Sequence, residues 1–375
     1  MCDKKRLLFL SGTRADFGKL KSLMQKVDDT ESMELHIFAT GMHMMSKYGM
    51  TVHEIEKSGF NSVYKYINQN TNDSMDTVLA KTIMGLSDYV KELKPHMIVV
   101  HGDRVEAMAG AIVGSLNNIL VGHVEGGEVS GTIDELIRHS TSKMAHVHFV
   151  CNEDAKRRLL QLGELESSIF VIGSPDLDIM LSKSLPTVER VREKYSIPFK
   201  DYAVLMYHPV TTSLDELPND IKSLVDAVID SKENYVVIYP NNDHGTDEIL
   251  TEYKRLEGLP NIRLFPSIRF EYFLSLLQYS QFLIGNSSAG VREAPFYGLP
   301  SIDIGSRQKN RASAPSIINT EHDTGLIADA ISMAKATSYK PFREFGEGKS
   351  DQHFIDSLLM GGVWGIGQQK LFNDL

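Results

Sequence analysis

The stretch RLLFLSGTRADFGKLKSLMQKV, residues 6–27, decides the fold class. Its apolar run Arg6–Leu10 predicts a strand, Gly12 predicts a tight turn, and the amphipathic run Phe17–Val27 predicts a helix. An apolar strand without clean alternation is typical of a parallel sheet that is covered on both faces. The chain is therefore predicted to be an α/β protein built from strand–turn–helix units.

The same pattern recurs in two series along the chain. Further strands are predicted at Leu35–Phe38, Met97–Val100, Leu120–His123, Val147–Val150 and Ile169–Ile172, and then at Tyr202–Tyr207, Tyr235–Tyr239, Ile262–Phe265, Phe282–Gly285 and Ser301–Ile304. The alternation pauses between Gly173 and Pro186, where charge and proline enter. We predict two doubly wound, Rossmann-type domains, 1–178 and 179–355, with a cleft between them and ligands beyond the carboxyl ends of the strands.

Composition excludes several classes of protein. The 375 residues are 42% hydrophobic and 23% charged, as in a globular protein with real cores. A formal net charge of −10 argues against binding to nucleic acid or to an anionic membrane. The N-terminus does not resemble a signal peptide, and no stretch approaches membrane-spanning length. The two cysteines, Cys2 and Cys151, match no metal or redox spacing, so we expect a cytoplasmic protein without a metal site.

The turn Gly12-Thr13-Arg14 is a candidate anion site. Amides at a helix start point towards an anion, and Arg14 can bind phosphate oxygens with its guanidinium fork. Lys19, one turn into the helix, offers a second positive charge. An ordinary strand-to-helix turn with a solvated arginine explains the tripeptide equally simply, because short glycine motifs are common.

Three carboxylates are candidate acid–base groups. Asp103 follows an apolar strand in His101-Gly102-Asp103-Arg104, where it is either a ligand contact or a helix N-cap. Glu125 follows another strand and precedes two glycines, a sequence that also suits a plain turn. Asp134 lies in a charged helix start that has the spacing of surface ion pairs. Three acidic positions beyond strands favour a converging acid–base cluster.

The second half carries the clearest anion signal. Gly285-Asn286-Ser287-Ser288-Ala289-Gly290 ends a strand and predicts a helix start whose amides and hydroxyls can hold a diphosphate. Glu293, further along this helix, is placed to accept hydrogen bonds from ribose, although a capped helix with a surface glutamate is the plain alternative. His208 follows a strand and precedes a proline that fixes its turn. Arg269 and Phe270 follow the strand at Ile262–Phe265 and are candidates for holding a flat base, although a core phenylalanine is the commoner explanation.

Six blocks in unbroken order resemble the hydrolysing UDP-N-acetylglucosamine 2-epimerases, in particular the bacterial sialic-acid-pathway branch. They are Gly12-Thr13-Arg14-Ala15-Asp16, His101-Gly102-Asp103-Arg104, His123-Val124-Glu125-Gly126-Gly127-Glu128, His208-Pro209-Val210-Thr211-Thr212, Gly285-Asn286-Ser287-Ser288 and Gly305-Ser306-Arg307-Gln308. The resemblance runs from the first strand to about Arg311.

The resemblance implies a GT-B-like fold in which a C-terminal helix, at about 356–375, packs back on the first domain. It also implies a homodimer or homotetramer with no cofactor, and UDP held mainly by the second domain. By matching positions, the catalytic acids are Asp103, Glu125 and Asp134. The implied contacts to the diphosphate, the leaving group or the rest of UDP are Arg14, Lys19, His208, Ser287, Ser288, Glu293 and Arg307.

The non-hydrolysing branch of the family typically has Gly-Thr-Arg-Pro-Glu where this chain has Ala15-Asp16, and Gly-His-Arg where it has Tyr207-His208-Pro209. Both departures favour hydrolysis. The expected reaction eliminates UDP, forms a glycal and hydrates it to N-acetylmannosamine, the first step of sialic acid synthesis. The alternatives are hydrolysis of UDP-N,N'-diacetylbacillosamine for legionaminic acid, a GT-B glycosyltransferase, and a sensor that binds a nucleotide sugar without turnover.

Overall fold

The computed structural model of the chain describes residues 4–130, 133–182, 185–241, 243–311, 313–371 and 373. These residues form two units. The first contains the described residues up to Glu128, those from Asp134 to Ser182, and those from Glu344 onward. The second contains the described residues of 129–133 and 183–343.

The first unit is built on a seven-stranded parallel sheet with the order β3-β2-β1-β4-β5-β6-β7. Its strands are β1 (Lys5–Ser11), β2 (Met33–Ala39), β3 (Val63–Lys65), β4 (Met97–His101), β5 (Leu120–Val124), β6 (Val147–Val150) and β7 (Ile169–Val171). Its helices are α1 (Arg14–Asp28), α2 (Val52–Lys57), α3 (Met75–Leu93), α4 (Val105–Leu116), α5 (Ile133–Met144), α6 (Glu153–Gln161) and α7 (Pro175–Met180). The strand order reverses between β1 and β4, so the loops after these two strands lie at the topological switch point.

The second unit repeats this plan with six parallel strands in the order β10-β9-β8-β11-β12-β13. Its strands are β8 (Ala203–Met206), β9 (Tyr235–Ile238), β10 (Ile262–Phe265), β11 (Leu283–Gly285), β12 (Ser301–Ile304) and β13 (Ile317–Thr320). Its helices are α8 (Val188–Lys194), α9 (Leu217–Ser231), α10 (Thr246–Tyr253), α11 (Phe270–Gln278), α12 (Glu293–Phe296) and α13 (Thr324–Ala336). Its switch point lies between β8 and β11. The two sheets confirm the predicted pair of doubly wound, Rossmann-type α/β folds.

Strand β1 shows why its sequence is apolar throughout. Leu7 and Phe9 point into a core on one face of the sheet, and Leu8 and Leu10 point into a core on the other face. All four side chains are buried, so neither face is left for polar residues. The short edge strands β3 and β13 have half-buried or exposed residues and were not predicted from the sequence.

The last helix, α14 (Ser350–Leu359), belongs to the first unit and packs its Phe354 ring edge-on against Phe149, with centroids 4.6 Å apart. It begins and ends earlier than the helix predicted at about 356–375. The glycines Gly361 and Gly362 follow it, and Gly361 has a left-handed φ of +80° that a continuing helix does not allow. None of the helices in the described part of the chain is long and apolar enough to span a bilayer.

Candidate active site

Asp103 is held by a buried arginine. It follows β4 at the switch point of the first unit, and its carboxylate forms an ion pair with Arg138 of α5. The Arg138 side chain is only 1% exposed, and it also donates to the carbonyl of Glu128. Asp103 is not the N-cap of α4, which was its alternative role, because Arg104 occupies that position.

Glu125 comes directly after β5 and is almost entirely buried. Its backbone is left-handed, with φ of +64°, a conformation that costs a non-glycine residue roughly 1–3 kcal/mol. One carboxylate oxygen accepts a hydrogen bond from Ser174 Oγ at 3.0 Å, and the other lies 3.1 Å from His101 Nε2. The strained backbone and the specific contacts argue for a positioned functional carboxylate rather than a plain turn.

Asp134 lies half-buried in the first turn of α5. Of the two ion pairs that the spacing predicts, His139 and Glu135 do approach within 3.4 Å. Arg138, which is one turn from Asp134, forms an ion pair with Asp103. The same helix thus carries Asp134 and the arginine that holds Asp103, which brings two of the three predicted acids to α5.

The predicted positive charges of the first unit are paired within it. Lys19 is buried and its Nζ lies 2.8 Å from Asp176 Oδ2. Arg14 opens α1 and donates to Glu54 Oε1 at 2.8 Å. Both cations therefore already have carboxylate partners, and their contacts with a diphosphate stay a prediction.

Two neutral histidines support the loops of this cluster. His123, in β5, lies 2.8 Å from the carbonyl oxygen of Gly102 and 3.0 Å from Ser142 Oγ, and so fixes the turn that carries Asp103. His43 lies between Ser11 Oγ and Thr51 Oγ1, beside the end of β1. Burial lowers the pKa of His123 to about 3 and that of His43 to about 4, so both rings are neutral at pH 7. Neither histidine was predicted from the sequence as a site residue.

Asn286 joins the two switch-point loops of the second unit. It is fully buried, its Oδ1 accepts from the backbone N–H of His208 at 2.7 Å, and its Nδ2 donates to the His208 carbonyl at 2.8 Å. Its own carbonyl accepts from Arg307 Nη1 at 3.3 Å and from Gln308 Nε2 at 2.9 Å. Asn286 thus brings three of the predicted blocks together through its side-chain amide and its backbone carbonyl, although it was not itself predicted as a site residue.

His208 has a defined tautomer. Its Nδ1 accepts a hydrogen bond from the backbone N–H of Asn241 at 3.0 Å. In the neutral ring the proton is therefore on Nε2, which is a donor. A donor on a half-buried ring next to the predicted anion site is suited to a developing negative charge.

The helix predicted after Ser287 is shorter than expected, and this part of the prediction is wrong. Ser288–Gly290 is a three-residue 3-10 helix, and α12 has only four residues, with Pro295 inside it. Glycine and proline both disfavour a long helix here. The prediction that this turn binds a diphosphate therefore depends on the hydroxyls of Ser287 and Ser288 and on local amides, and not on a helix macrodipole.

Three further side chains lie around this turn. Glu293 opens α12 and is buried, as is Arg307. Asp303, in β12, was not predicted, and burial raises its pKa to about 7 although Arg307 nearby opposes the shift. The Glu293 and Arg307 contacts to UDP stay predictions.

The two residues predicted to hold the base, Arg269 and Phe270, each lie against an aromatic side chain of the protein. Arg269 precedes α11 with its guanidinium 5.4 Å from the Tyr272 ring centroid, half-buried. Phe270 is buried and packs on Phe273. Phe270 thus occupies a core position, and its stacking on a base stays a prediction.

One group of described side chains has the donors and the proximity that a metal ion needs. Oxygens of Glu125 and Glu128 and the sulfur of Cys151 lie within 4.8 Å of one another, all buried. Glu125 already uses both oxygens in contacts with Ser174 and His101. We therefore treat the group as part of the carboxylate cluster and assign no metal to it. Cys2 lies outside the described residues.

Gly285 lies where the two switch-point strands of the second unit, β8 and β11, approach each other closely. It ends β11 with φ of +137°, which is accessible essentially to glycine alone, and a Cβ here would overlap the carbonyl oxygen of Met206. Gly285→Ala is expected to lower the free energy of unfolding by about 3 kcal/mol or more. Thermal unfolding measures the loss. Gly362→Ala is the control, because Gly362 has helical angles and its added Cβ meets no described heavy atom within 4 Å. Equal melting temperatures for the two variants would contradict the prediction.

The chain is similar in sequence to known proteins over almost its whole length. A family model described as UDP-N-acetylglucosamine 2-epimerase matches residues 25–359. A UDP-N-acetylglucosamine 2-epimerase of Neisseria meningitidis serogroup B is 46% identical over 375 residues, which cover 99% of this chain and 99% of the relative. A UDP-N,N'-diacetylbacillosamine 2-epimerase (hydrolyzing) of Legionella pneumophila subsp. pneumophila is 31% identical, over 94% of this chain and 95% of the relative.

A crystal structure shares the fold. The UDP-GlcNAc 2-epimerase of Methanocaldococcus jannaschii, solved in complex with UDP-GlcNAc and UDP, matches with a TM-score of 0.82 and 22% identity. The match covers 95% of this chain and 100% of that one. At this identity the likeness concerns the fold alone, and it confirms the predicted GT-B-like fold class.

Proposed function

Because the chain belongs to the UDP-N-acetylglucosamine 2-epimerase family, we propose that it hydrolyses UDP-N-acetylglucosamine to UDP and N-acetylmannosamine. The observation that carries the proposal is a pair of specifically held carboxylates beyond β4 and β5: half-buried Asp103, paired with Arg138, and buried Glu125. Hydrolysis, rather than return of a nucleotide sugar, is supported by two departures from the non-hydrolysing branch, at Ala15-Asp16 and at Tyr207-His208-Pro209. The hydrolysing relative of Legionella supports it as well. The product would enter sialic acid synthesis, as the resemblance implies.

The first step removes UDP. The bond between carbon 1 of the sugar and the diphosphate oxygen breaks, and its electron pair leaves with UDP. His208 Nε2–H, the hydroxyls of Ser287 and Ser288 and the Arg307 guanidinium are the proposed donors to the developing charge. Fixed donors of this kind usually supply the largest share of such catalysis. Removal of the carbon 2 proton by Asp103 then completes the elimination and gives a glycal.

Hydration of the glycal sets the new configuration. Water adds its oxygen to carbon 1, and a proton adds to carbon 2 from the face opposite to the one that lost its proton. This step needs one base for water and one acid for carbon 2, and Glu125 and Asp134 are the proposed pair. No metal or nicotinamide takes part in this scheme.

Product analysis in deuterated water tests the proposal. We expect the enzyme to convert UDP-N-acetylglucosamine, with no acceptor added, to UDP and N-acetylmannosamine carrying deuterium at carbon 2, as read by proton NMR. A parallel incubation with Glu125→Gln gives the background. Release of UDP-N-acetylmannosamine without UDP would contradict hydrolysis, and a product without deuterium at carbon 2 would contradict proton abstraction.

A second substrate has a specific observation in its favour. The relative of Legionella is named for UDP-N,N'-diacetylbacillosamine. The higher identity of the Neisseria relative favours UDP-N-acetylglucosamine. Turnover of the two nucleotide sugars at equal concentration decides between them, and a higher kcat/KM for the diacetamido sugar would reverse our assignment.

A further inference from the structure

The imidazole of His101 lies between two carboxylates. His101 is the last residue of β4, and its side chain is 10% exposed. Its Nδ1 lies 3.0 Å from Asp16 Oδ1, and its Nε2 lies 3.1 Å from Glu125 Oε2. Both are ion-pair distances without linear hydrogen-bond geometry, so the attraction is mainly electrostatic. A neutral imidazole has one N–H, whereas an imidazolium offers one to each carboxylate.

The surrounding charges support the imidazolium. Burial alone lowers the pKa of His101, but the charge of Glu125, the short-range contacts with Asp16 and Glu125 and the charge of Asp16 together outweigh burial and raise it to about 10. The neighbouring ring of His123, from β5, is neutral at pH 7 and adds no charge. The carboxyl group of Glu128 lies beside that of Glu125, with oxygens within 4.8 Å of each other. Asp176 of α7 and Lys19 of α1 form an ion pair at 2.8 Å.

Each carboxylate that contacts His101 also holds a loop of the site. The second oxygen of Asp16 accepts from the backbone N–H of Gly12 at 2.9 Å, which fixes the turn before α1. The second oxygen of Glu125 accepts from Ser174 Oγ at 3.0 Å. One cation therefore connects the Gly12 turn, the end of β4 and the strained Glu125 backbone.

We infer that His101 is a positioning residue which, as an imidazolium, keeps Glu125 ionised and oriented, so that Glu125 is the base that activates water. The inference rests on the proposed function and completes it, since Asp134 is then the acid of the hydration step. Water oxygen bonds to carbon 1 and passes its proton to Glu125. The carbon–carbon double bond takes the Asp134 proton at carbon 2, and proton exchange with solvent restores both groups.

The pH dependence of kcat/KM separates this role from a purely structural one. In His101→Gln the positive charge is lost, and the protonated form of Glu125 becomes easier to populate. We expect the acidic limb of the profile to move to higher pH by about one unit or more, with partial recovery of the rate at high pH. An equal fall in rate at every pH would overturn the inference and leave the proposed function standing.

The charge of His101 is also measurable without turnover. With nitrogen-15 in the histidines, we expect the His101 ring to give the shifts of an imidazolium from about pH 6 to pH 8, and to begin losing its proton at lower pH in Asp16→Asn. His123 is the internal control, because it stays neutral over the same range. A neutral His101 at pH 7 in the wild-type protein would overturn the inference. If instead the imidazolium is present but no UDP is released, the proposed function fails separately.

The stability of the fold has a matching pH dependence. The pKa of His101 is about 10 in the folded chain and 6.5 when unperturbed, so the stability from its protonation is fully present below pH 6.5 and is lost as the pH rises towards 10. The difference in unfolding free energy between wild type and His101→Gln should be largest below pH 6.5 and should shrink above it. Urea unfolding at several pH values measures it, and a difference that grows with pH would contradict the imidazolium.

Discussion

Replacing Asp103, Glu125 or Asp134 by its amide is expected to lower kcat by about 10²–10⁴-fold, the usual contribution of a general acid or base. The amide keeps the size of the side chain and removes its ability to exchange a proton at neutral pH. Since these groups act on the sugar in the transition state, KM should change much less than kcat. Steady-state release of UDP at a fixed pH measures both constants.

Two controls make this result specific. Asp88→Asn changes an exposed carboxylate whose side chain is 85% exposed, and it should keep the wild-type rate. The affinity for UDP, measured by calorimetry, should stay within a few-fold of wild type in all three amide variants, because the proposed UDP contacts of the second unit are intact. Thermal unfolding of Asp103→Asn is needed as well, because that variant removes the carboxylate that faces buried Arg138. Wild-type kcat in all three variants would remove the assignment.

The sequence could predict where functional residues lie, for a physical reason. Buried parallel strands are apolar on both faces, so their ends are visible in the sequence, as β1 and β4 show. Ligand-binding residues in such sheets follow these ends at the switch point. The loops carrying Asp103 and Asn286 were found in this way, and the structure places both loops at switch points.

The sequence could not predict which charges pair. Lys19 and Asp176 are 157 positions apart, and Asp103 and Arg138 are 35 apart, yet both pairs are in direct contact. Local spacing pointed instead to Asp134 as the partner of Arg138. Pair formation depends on which helices lie beside the sheet ends, and this is a property of the tertiary fold. Lys19 is an example, because it was predicted to contact phosphate and is paired with Asp176 in the fold.

His101 was missed for a related reason. A histidine at a strand end is more often structural than functional, and its charge depends on Asp16 and Glu125, which are distant in sequence. A usable signal was present, because all three residues lie at or shortly after the ends of neighbouring strands of the sheet, β1, β4 and β5. The prediction of one helix from the serines to Glu293 was wrong for a local reason: Gly290 and Pro295 limit this stretch to two short turns.

Asn286→Ala is expected to destabilise the second unit and to weaken UDP binding. The change leaves the N–H and carbonyl of half-buried His208 without their side-chain partners. Each unsatisfied buried group costs about 1–3 kcal/mol, so the free energy of unfolding should fall by roughly 2–6 kcal/mol. Because His208 and Ser287 are then no longer joined, we also expect the Kd for UDP to rise at least tenfold, or about 1.4 kcal/mol.

Asn286→Asp separates the two bonds of this clamp. It keeps an oxygen that accepts from the His208 N–H, but it has no N–H to donate to the His208 carbonyl, and it adds a negative charge beside the proposed diphosphate site. Its stability should therefore lie between those of wild type and Asn286→Ala, while its UDP affinity should be as low as that of alanine or lower. Urea unfolding and UDP calorimetry on the three proteins give the two orders. If Asn286→Ala bound UDP as tightly as wild type, the switch point of the second unit would not be the nucleotide site, and the division of roles between the two units would have to be abandoned.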